Sequence, residues 1–168
     1  QKKHMWPIPS NATVNSVVEH LAERPSNGKL GKNLRFMVKR MRKIVGGVNW
    51  ITDGAYLTIK FGVYLCQRSQ HLATQFHLDI ALHIVTHLKW YNQWCPCFEF
   101  LTAEEIIRRG IKFEAWTQSD ASHADDKKSC DSTIAVAAGF GNTLINHHVY
   151  RERGKKQSST TAEIAGYS

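Results

Sequence analysis

The chain has 168 residues, with 22 Lys and Arg against 14 Asp and Glu, a formal net charge of +8. That length suits one compact domain, or a small domain with a docked helical segment, and leaves little room for two full domains. The apolar runs are short and interrupted, which excludes a bilayer-spanning helix of about 20 residues, and the basic excess favours an anionic partner such as nucleic acid.

No apolar stretch follows Lys2 and Lys3, so a secretory signal is not expected and a cytoplasmic or nuclear setting follows. Cys66, Cys95, Cys97 and Cys130 are too sparse for a disulfide framework and read as free thiols. Residues 1–33 form a peripheral segment punctuated by Pro7, Pro9 and Pro25, with a short helical pattern from Val14 to Glu23 and a turn at Ser26-Asn27-Gly28. From Leu34 to Val45 the apolar Leu34, Met37, Val38, Met41, Ile44 and Val45 recur at three and four, the stripe of an amphipathic helix. Its other face carries Arg35, Lys39, Arg40, Arg42 and Lys43. A step is expected at Gly46-Gly47, before a second apolar segment from Val48 to Ile51. Leu57 to Cys66 fits helix or buried strand, and helix is preferred. The clearest helix runs from Thr74 to Trp90, with Phe76, Ile80, Ala81, Ile84 and Leu88 on one side and Asn92 and Pro96 at its exit.

The pattern changes near Gly110. Ile111, Phe113, Ala115 and Thr117 alternate with Lys112, Glu114, Trp116 and Gln118, the period-two signature of a strand. Thr133 to Phe140 and Thr143 to Tyr150 are further strands, and Gly141-Asn142 suits a two-residue hairpin turn. Ser159, Thr160 and Thr161 offer helix N-cap hydroxyls ahead of Glu163. The fold class predicted is α+β, with helices first, then three antiparallel strands and a closing helix.

Three ordered motifs fall in the second half. They are Trp116-Thr117-Gln118-Ser119-Asp120-Ala121, then Lys127-Lys128-Ser129-Cys130-Asp131-Ser132-Thr133, then Lys155-Lys156-Gln157-Ser158-Ser159-Thr160-Thr161-Ala162-Glu163. This series resembles the ribonuclease H domain of copia-type (pseudovirus) LTR retrotransposon Pol polyproteins. In that domain a strand ends in Asp-Ala, an Arg/Lys-Ser-Thr stretch precedes the next strand, and a Lys-Lys-Gln-Ser run leads to Ala-Glu. Upstream, Lys43 to Ile51 resembles the segment that closes the reverse transcriptase, and His77 to Lys89 looks like its connecting helix. The resemblance runs from about residue 40 onward, and the chain divides into residues 1–33 as periphery, 34–109 as a helical connection-like segment, and 110–168 as a partial ribonuclease H-like domain. Gly54 to Ile59 stands where the family has Thr-Arg-Pro-Asp-Ile, and His147 to Arg153 replaces the usual Ser-Trp.

The resemblance implies magnesium-dependent cleavage of RNA in RNA/DNA hybrids. Two magnesium ions need several converging carboxylates, and the match assigns the first to Asp120 and the second to Glu163. Each has a plainer use, Asp120 in a solvated turn and Glu163 at a helix N-terminus. Lys155, Lys156 and Gln157 fall where the family approaches the hybrid backbone. The third and fourth carboxylates would lie after Ser168, so a catalytically incomplete remnant is expected, with remaining polyprotein segments as partners. Asp125, Asp126 and Asp131 could substitute for the missing carboxylates, but they fall in the first connection and are expected in a solvated charged loop. His123-Ala124-Asp125-Asp126 is not read as a polymerase turn, because its flanks are polar.

Two other classes compete. His83 and His87, four apart on one helix, with Cys95 and Cys97, make a possible zinc set, although Cys-x-Cys is a poor chelating pair. A non-catalytic nucleic-acid-binding or interaction module would be built on the basic face of the 34–45 helix.

Overall fold

The computed structural model describes residues 6–54, 59–91, 102–110, 114–141 and 143–152. Helices come first and an antiparallel sheet follows, as the alternation of periods predicts. Among the described residues no helix is long and apolar enough to cross a membrane.

The first helix, α1 (Val14–Glu19), starts where the Thr13 hydroxyl accepts from the Ser16 amide and Ser16 Oγ accepts from the Thr13 amide. It buries Val14, Val17 and Val18. A turn follows in which the Gly28 amide donates to the Pro25 carbonyl and Gly28 takes a φ of +69°.

α2 (Lys32–Gly54) is much longer than its sequence pattern suggested, because it passes straight through Gly46-Gly47. Val38, Met41, Val45, Val48 and Thr52 form a continuous buried stripe, and packing of that stripe outweighs a helix-propensity cost of about 1 kcal/mol per glycine. Both glycines are exposed, and a Cβ added at either meets nothing within 4 Å. α3 (Lys60–Ser69) gives helix for the ambiguous apolar segment from Lys60 to Cys66, whereas Leu57 and Thr58 lie outside the described residues. α4 (Gln75–Trp90) begins at Thr74, whose amide donates to His77 Nδ1.

His77 also ties α4 to α1. With Nδ1 accepting, the proton sits on Nε2, which donates to the Val17 carbonyl at 2.8 Å. Burial pushes the His77 pKa below its usual 6.5; the Val17 bond opposes that shift, and His20 and His71 add to it.

Met41, Ile59, Leu65, Leu78 and Ile84 are almost wholly buried, and Val63 and Ala81 pack with most of them in a core that Val149 joins from the sheet. A further short helix, α5 (Ala103–Arg109), was not anticipated. Its signals are local: a Thr102/Glu105 capping box and Gly110 in the left-handed conformation at its end.

β1 (Ala115–Asp126), β2 (Asp131–Phe140) and β3 (Thr143–Glu152) form an antiparallel meander in the order β1-β2-β3. Phe140 pairs with Thr143, leaving a two-residue connection that starts at Gly141 with a φ of +56°. β1 does not end near Asp120. It continues to Asp126, because backbone pairing with β2 holds the polar residues beyond Asp120 in the ladder. On the Asp120 side of the sheet the Trp116 ring lies over Gly139, and its Nε1 donates to the Gly141 carbonyl at 2.8 Å. The closing helix with Ser159, Thr160 and Thr161 lies outside the described residues.

The two kinds of glycine predict opposite outcomes. Gly46→Ala or Gly47→Ala is expected to raise stability by about 1 kcal/mol. Gly139→Ala would collide with the Trp116 ring and the Thr143 carbonyl and is expected to lower it by about 1–3 kcal/mol; urea midpoints moving in one direction for all three contradict this account. His77 gives a pH prediction. A histidine depressed in the folded state weakens the fold as pH drops below 6.5, where the unfolded chain takes up the proton. His77→Gln should therefore flatten the decline in stability between about pH 6.5 and pH 5, whereas an unchanged slope would exclude His77 as its source.

Candidate active site

Asp120 sits in the middle of β1 and pairs with Ala135 of β2, which pairs with Val149 of β3. Directly opposed residues share a sheet face, so Asp120, Ala135 and Val149 form one row. Ser122 and Thr133 form the row on one side of it, and Gln118, Ala137 and His147 the row on the other.

That face borders a cleft of about 420 Å³, closed from the helical side by residues 12–15 and Phe61. Asp120 is exposed on its wall. Between the pairs Ser122↔Thr133 and Asp126↔Asp131, β1 carries three residues where β2 carries one. This bulge brings Asp125 to the same cleft.

A chain of hydrogen bonds fixes the bulge. Arg68 pairs with Asp126 and donates from Nη1 to the Tyr64 hydroxyl at 3.0 Å. The same Tyr64 hydroxyl shares a hydrogen bond with Thr133 Oγ1 at 3.2 Å. The Thr133 side chain lies beside Asp125 and favours its ionised form. Burial raises the Asp125 pKa above the usual 3.8; Thr133 and the charge of Arg68 offset that in part. Its Oδ1 is buried with no hydrogen-bond partner among the described residues.

Asp126 behaves in the opposite way. Burial acts to raise its pKa, but hydrogen bonds from the Ser129 side chain and the Lys128 and Ser129 amides, with the Arg68 charge, carry it below 3.8. Its Oδ1 accepts from both amides and so shapes the Lys127–Cys130 turn. Asp131 pairs with Arg151 across the sheet. The solvated loop expected for Asp125, Asp126 and Asp131 is therefore corrected. Asp126 and Asp131 are buried ion-pair partners and Asp125 is half-buried, because distant arginines supply the compensation that their sequence neighbours do not. Asp125 and Asp126 also precede the hairpin tip and do not form it.

Comparison with protein-family models, curated proteins and solved structures found no match.

Of the residues singled out in the sequence, Asp120 is described, whereas Glu163, Lys155, Lys156 and Gln157 lie outside the described residues. Among the described residues no group of three or more His, Cys, Asp or Glu is arranged to hold a metal ion. By themselves these residues do not fit a two-magnesium centre. For the zinc alternative, His83 Nε2 lies 2.8 Å from the Trp6 carbonyl, and His87 is buried and stacked on Tyr91. Cys95 and Cys97 lie outside the described residues. Burial pushes the Cys66 thiol up to about 12, which removes it as a nucleophile at neutral pH.

His147, Asn15 and Phe61 also line the cleft, and nothing in their local sequence marked them. They meet there only through strand register and the docking of α1 and α3 on the sheet. Asn15 Oδ1 accepts from the Lys127 amide at 3.0 Å, which anchors α1 to the hairpin below.

Arg68 gives the sharpest test of this arrangement. The Arg68 and Asp126 side chains are 8% and 4% exposed, and removing one member of such a pair leaves a buried charge uncompensated. Arg68→Met is expected to cost about 3–5 kcal/mol at neutral pH in urea unfolding. Asp126 has a depressed folded pKa, so its contribution is present above 3.8 and is lost as pH falls through the folded value. The deficit of the variant should shrink over that acidic range. A deficit that is small at neutral pH, or unchanged in acid, would show that the pair does not anchor the bulge.

Proposed function

We propose that the chain is a piece of a copia-type retrotransposon Pol polyprotein, comprising the end of the reverse transcriptase and the first half of a ribonuclease H domain. The chemistry of that lineage is magnesium-dependent cleavage of RNA in RNA/DNA hybrids. One observation carries the reading. A three-stranded antiparallel meander follows the helical part, and its first strand bears Asp120 on the wall of a cleft.

In this reading Asp120 and Glu163 are two of the carboxylates of a two-metal site, and Lys155, Lys156 and Gln157 lie along the hybrid backbone. Two magnesium ions supply an activated water and stabilise the leaving oxygen. Two carboxylates are too few to hold both ions, each of which demands several oxygens in strict geometry. In this reading the site is incomplete with Asp120 and Glu163 alone, and its remaining ligands come from other segments of such a polyprotein.

The test is incubation of the purified chain with a labelled RNA/DNA hybrid in magnesium, beside Asp120→Asn, Glu163→Gln and Lys155→Gln/Lys156→Gln. The expected result is hybrid binding without cleavage, weakened in the lysine variant by an amount that shrinks as salt rises. Robust cleavage that disappears in both carboxylate variants would overturn the claim of incompleteness. Failure of the folded chain to bind the hybrid would overturn the ribonuclease H reading itself.

A further inference from the structure

The net charge of this chain is confined to one stretch. Eight of the 22 Lys and Arg fall between Arg24 and Thr52, which contains no Asp or Glu. The 14 that remain equal the 14 acidic residues, so the whole formal excess of +8 sits there. Most of that stretch is α2.

The helical repeat sorts α2 into two faces. Met41, Val45, Val48 and Thr52 turn into the core, while Lys32, Phe36, Lys39, Lys43 and Trp50 form an exposed stripe on the opposite side. Phe36 is 61% exposed and Trp50 81%. At about 1.5 Å per residue the two aromatic positions stand roughly 21 Å apart along the axis, with Lys39 and Lys43 between them.

An ordinary solvated face does not account for this stripe. A helix surface made only for solubility mixes charges of both signs and draws support from oppositely charged pairs four apart. Here Arg35, Lys39 and Lys43 follow one another at that spacing and repel. Among the described residues no carboxylate forms an ion pair with Lys32, Lys39, Arg40, Arg42 or Lys43. An anionic membrane surface is also a poor fit. An interfacial helix sets a continuous apolar face into the lipid, whereas the apolar face of α2 is spent in the protein core.

We propose that the outer face of α2 binds single-stranded nucleic acid, with its phosphates along Lys32, Lys39 and Lys43 and its bases stacked on Phe36 and Trp50. Lysines that track a backbone, with aromatic rings set among them, are the means by which unpaired strands are held without sequence preference. A duplex keeps its bases stacked internally and offers this face phosphates alone. The site shares with the ribonuclease reading only the class of partner, and it does not depend on any role for Asp120.

The experiment measures anisotropy of a labelled 20-nucleotide oligouridine RNA with the full chain across a salt series. A matched duplex and phosphatidylserine-containing vesicles serve as competitors. Lys39→Gln/Lys43→Gln is expected to reduce the slope of log affinity against log salt by about 0.7 per charge removed. Trp50→Ala is expected to weaken single-strand binding about tenfold with the slope unchanged, and to leave duplex binding as it was. Both variants alter exposed side chains, so matching circular dichroism spectra confirm that the fold is retained. An unchanged slope in the double lysine variant, or unchanged affinity in Trp50→Ala, overturns the proposal. So does capture by vesicles in preference to RNA. Binding abolished by Asp120→Asn would put the strand at the cleft and equally overturn the assignment to α2.

Discussion

The position of the sheet depends on one buried cation. Arg68, in the last turn of α3, meets the buried carboxylate of Asp126 and holds the Tyr64 hydroxyl against Thr133. A three-stranded sheet needs one face covered to be stable, and Val149 and Ala135 supply apolar contact with the helices. Apolar contact is non-directional and would tolerate sliding of the sheet across the helical layer. A buried ion pair would not, since any shift exposes an uncompensated charge to a low-dielectric interior. The polar chain from Asp126 through Arg68 and Tyr64 to Thr133, whose ends flank the bulge on both strands, thus sets the position at which β1 bulges. The bulge decides which carboxylates share the cleft with Asp120.

That dependence explains what could and could not be read along the chain. α4 was legible because its apolar residues keep a strict helical spacing and no glycine or proline interrupts them. β2 and β3 were legible from their flanking turn residues and strand-forming composition. The end of β1 was not, because Asp125 and Asp126 beside two lysines have the composition of a loop. What makes them strand residues is a partner 58 positions away in sequence, Arg68. The length of α2 was hidden for a different reason: Gly46-Gly47 reads as a break, and only tertiary packing on the far side of the helix carries it through. Asp120 stood out through its motif. The walls of its cleft come from five separate elements whose meeting no local pattern encodes. α5 was legible in principle, from Thr102, Glu105 and Gly110.

The distribution of charge then constrains how an anionic partner meets the molecule. With the stretch from Arg24 to Thr52 set aside, acidic and basic residues balance, so the rest of the chain exerts no net long-range pull. The cleft itself carries two carboxylates, Asp120 and Asp125, and phosphate is repelled from it wherever they are ionised. The elevated pKa of Asp125 lessens that repulsion only as pH falls toward its folded value.

The positive stripe of α2 does not offset this at a distance. α2 packs on α3 and α4 through its buried side, and the sheet contacts α3, so at least the width of one helix separates the stripe from the elements that carry the cleft. An α-helix with its side chains is about 10 Å across, and the Debye length at physiological ionic strength is about 8 Å. Through the surrounding electrolyte the field of Lys39 and Lys43 is therefore weakened before it reaches Asp120. A strand held on α2 is held there for local reasons, and a substrate that engages Asp120 needs contacts of its own close to the cleft.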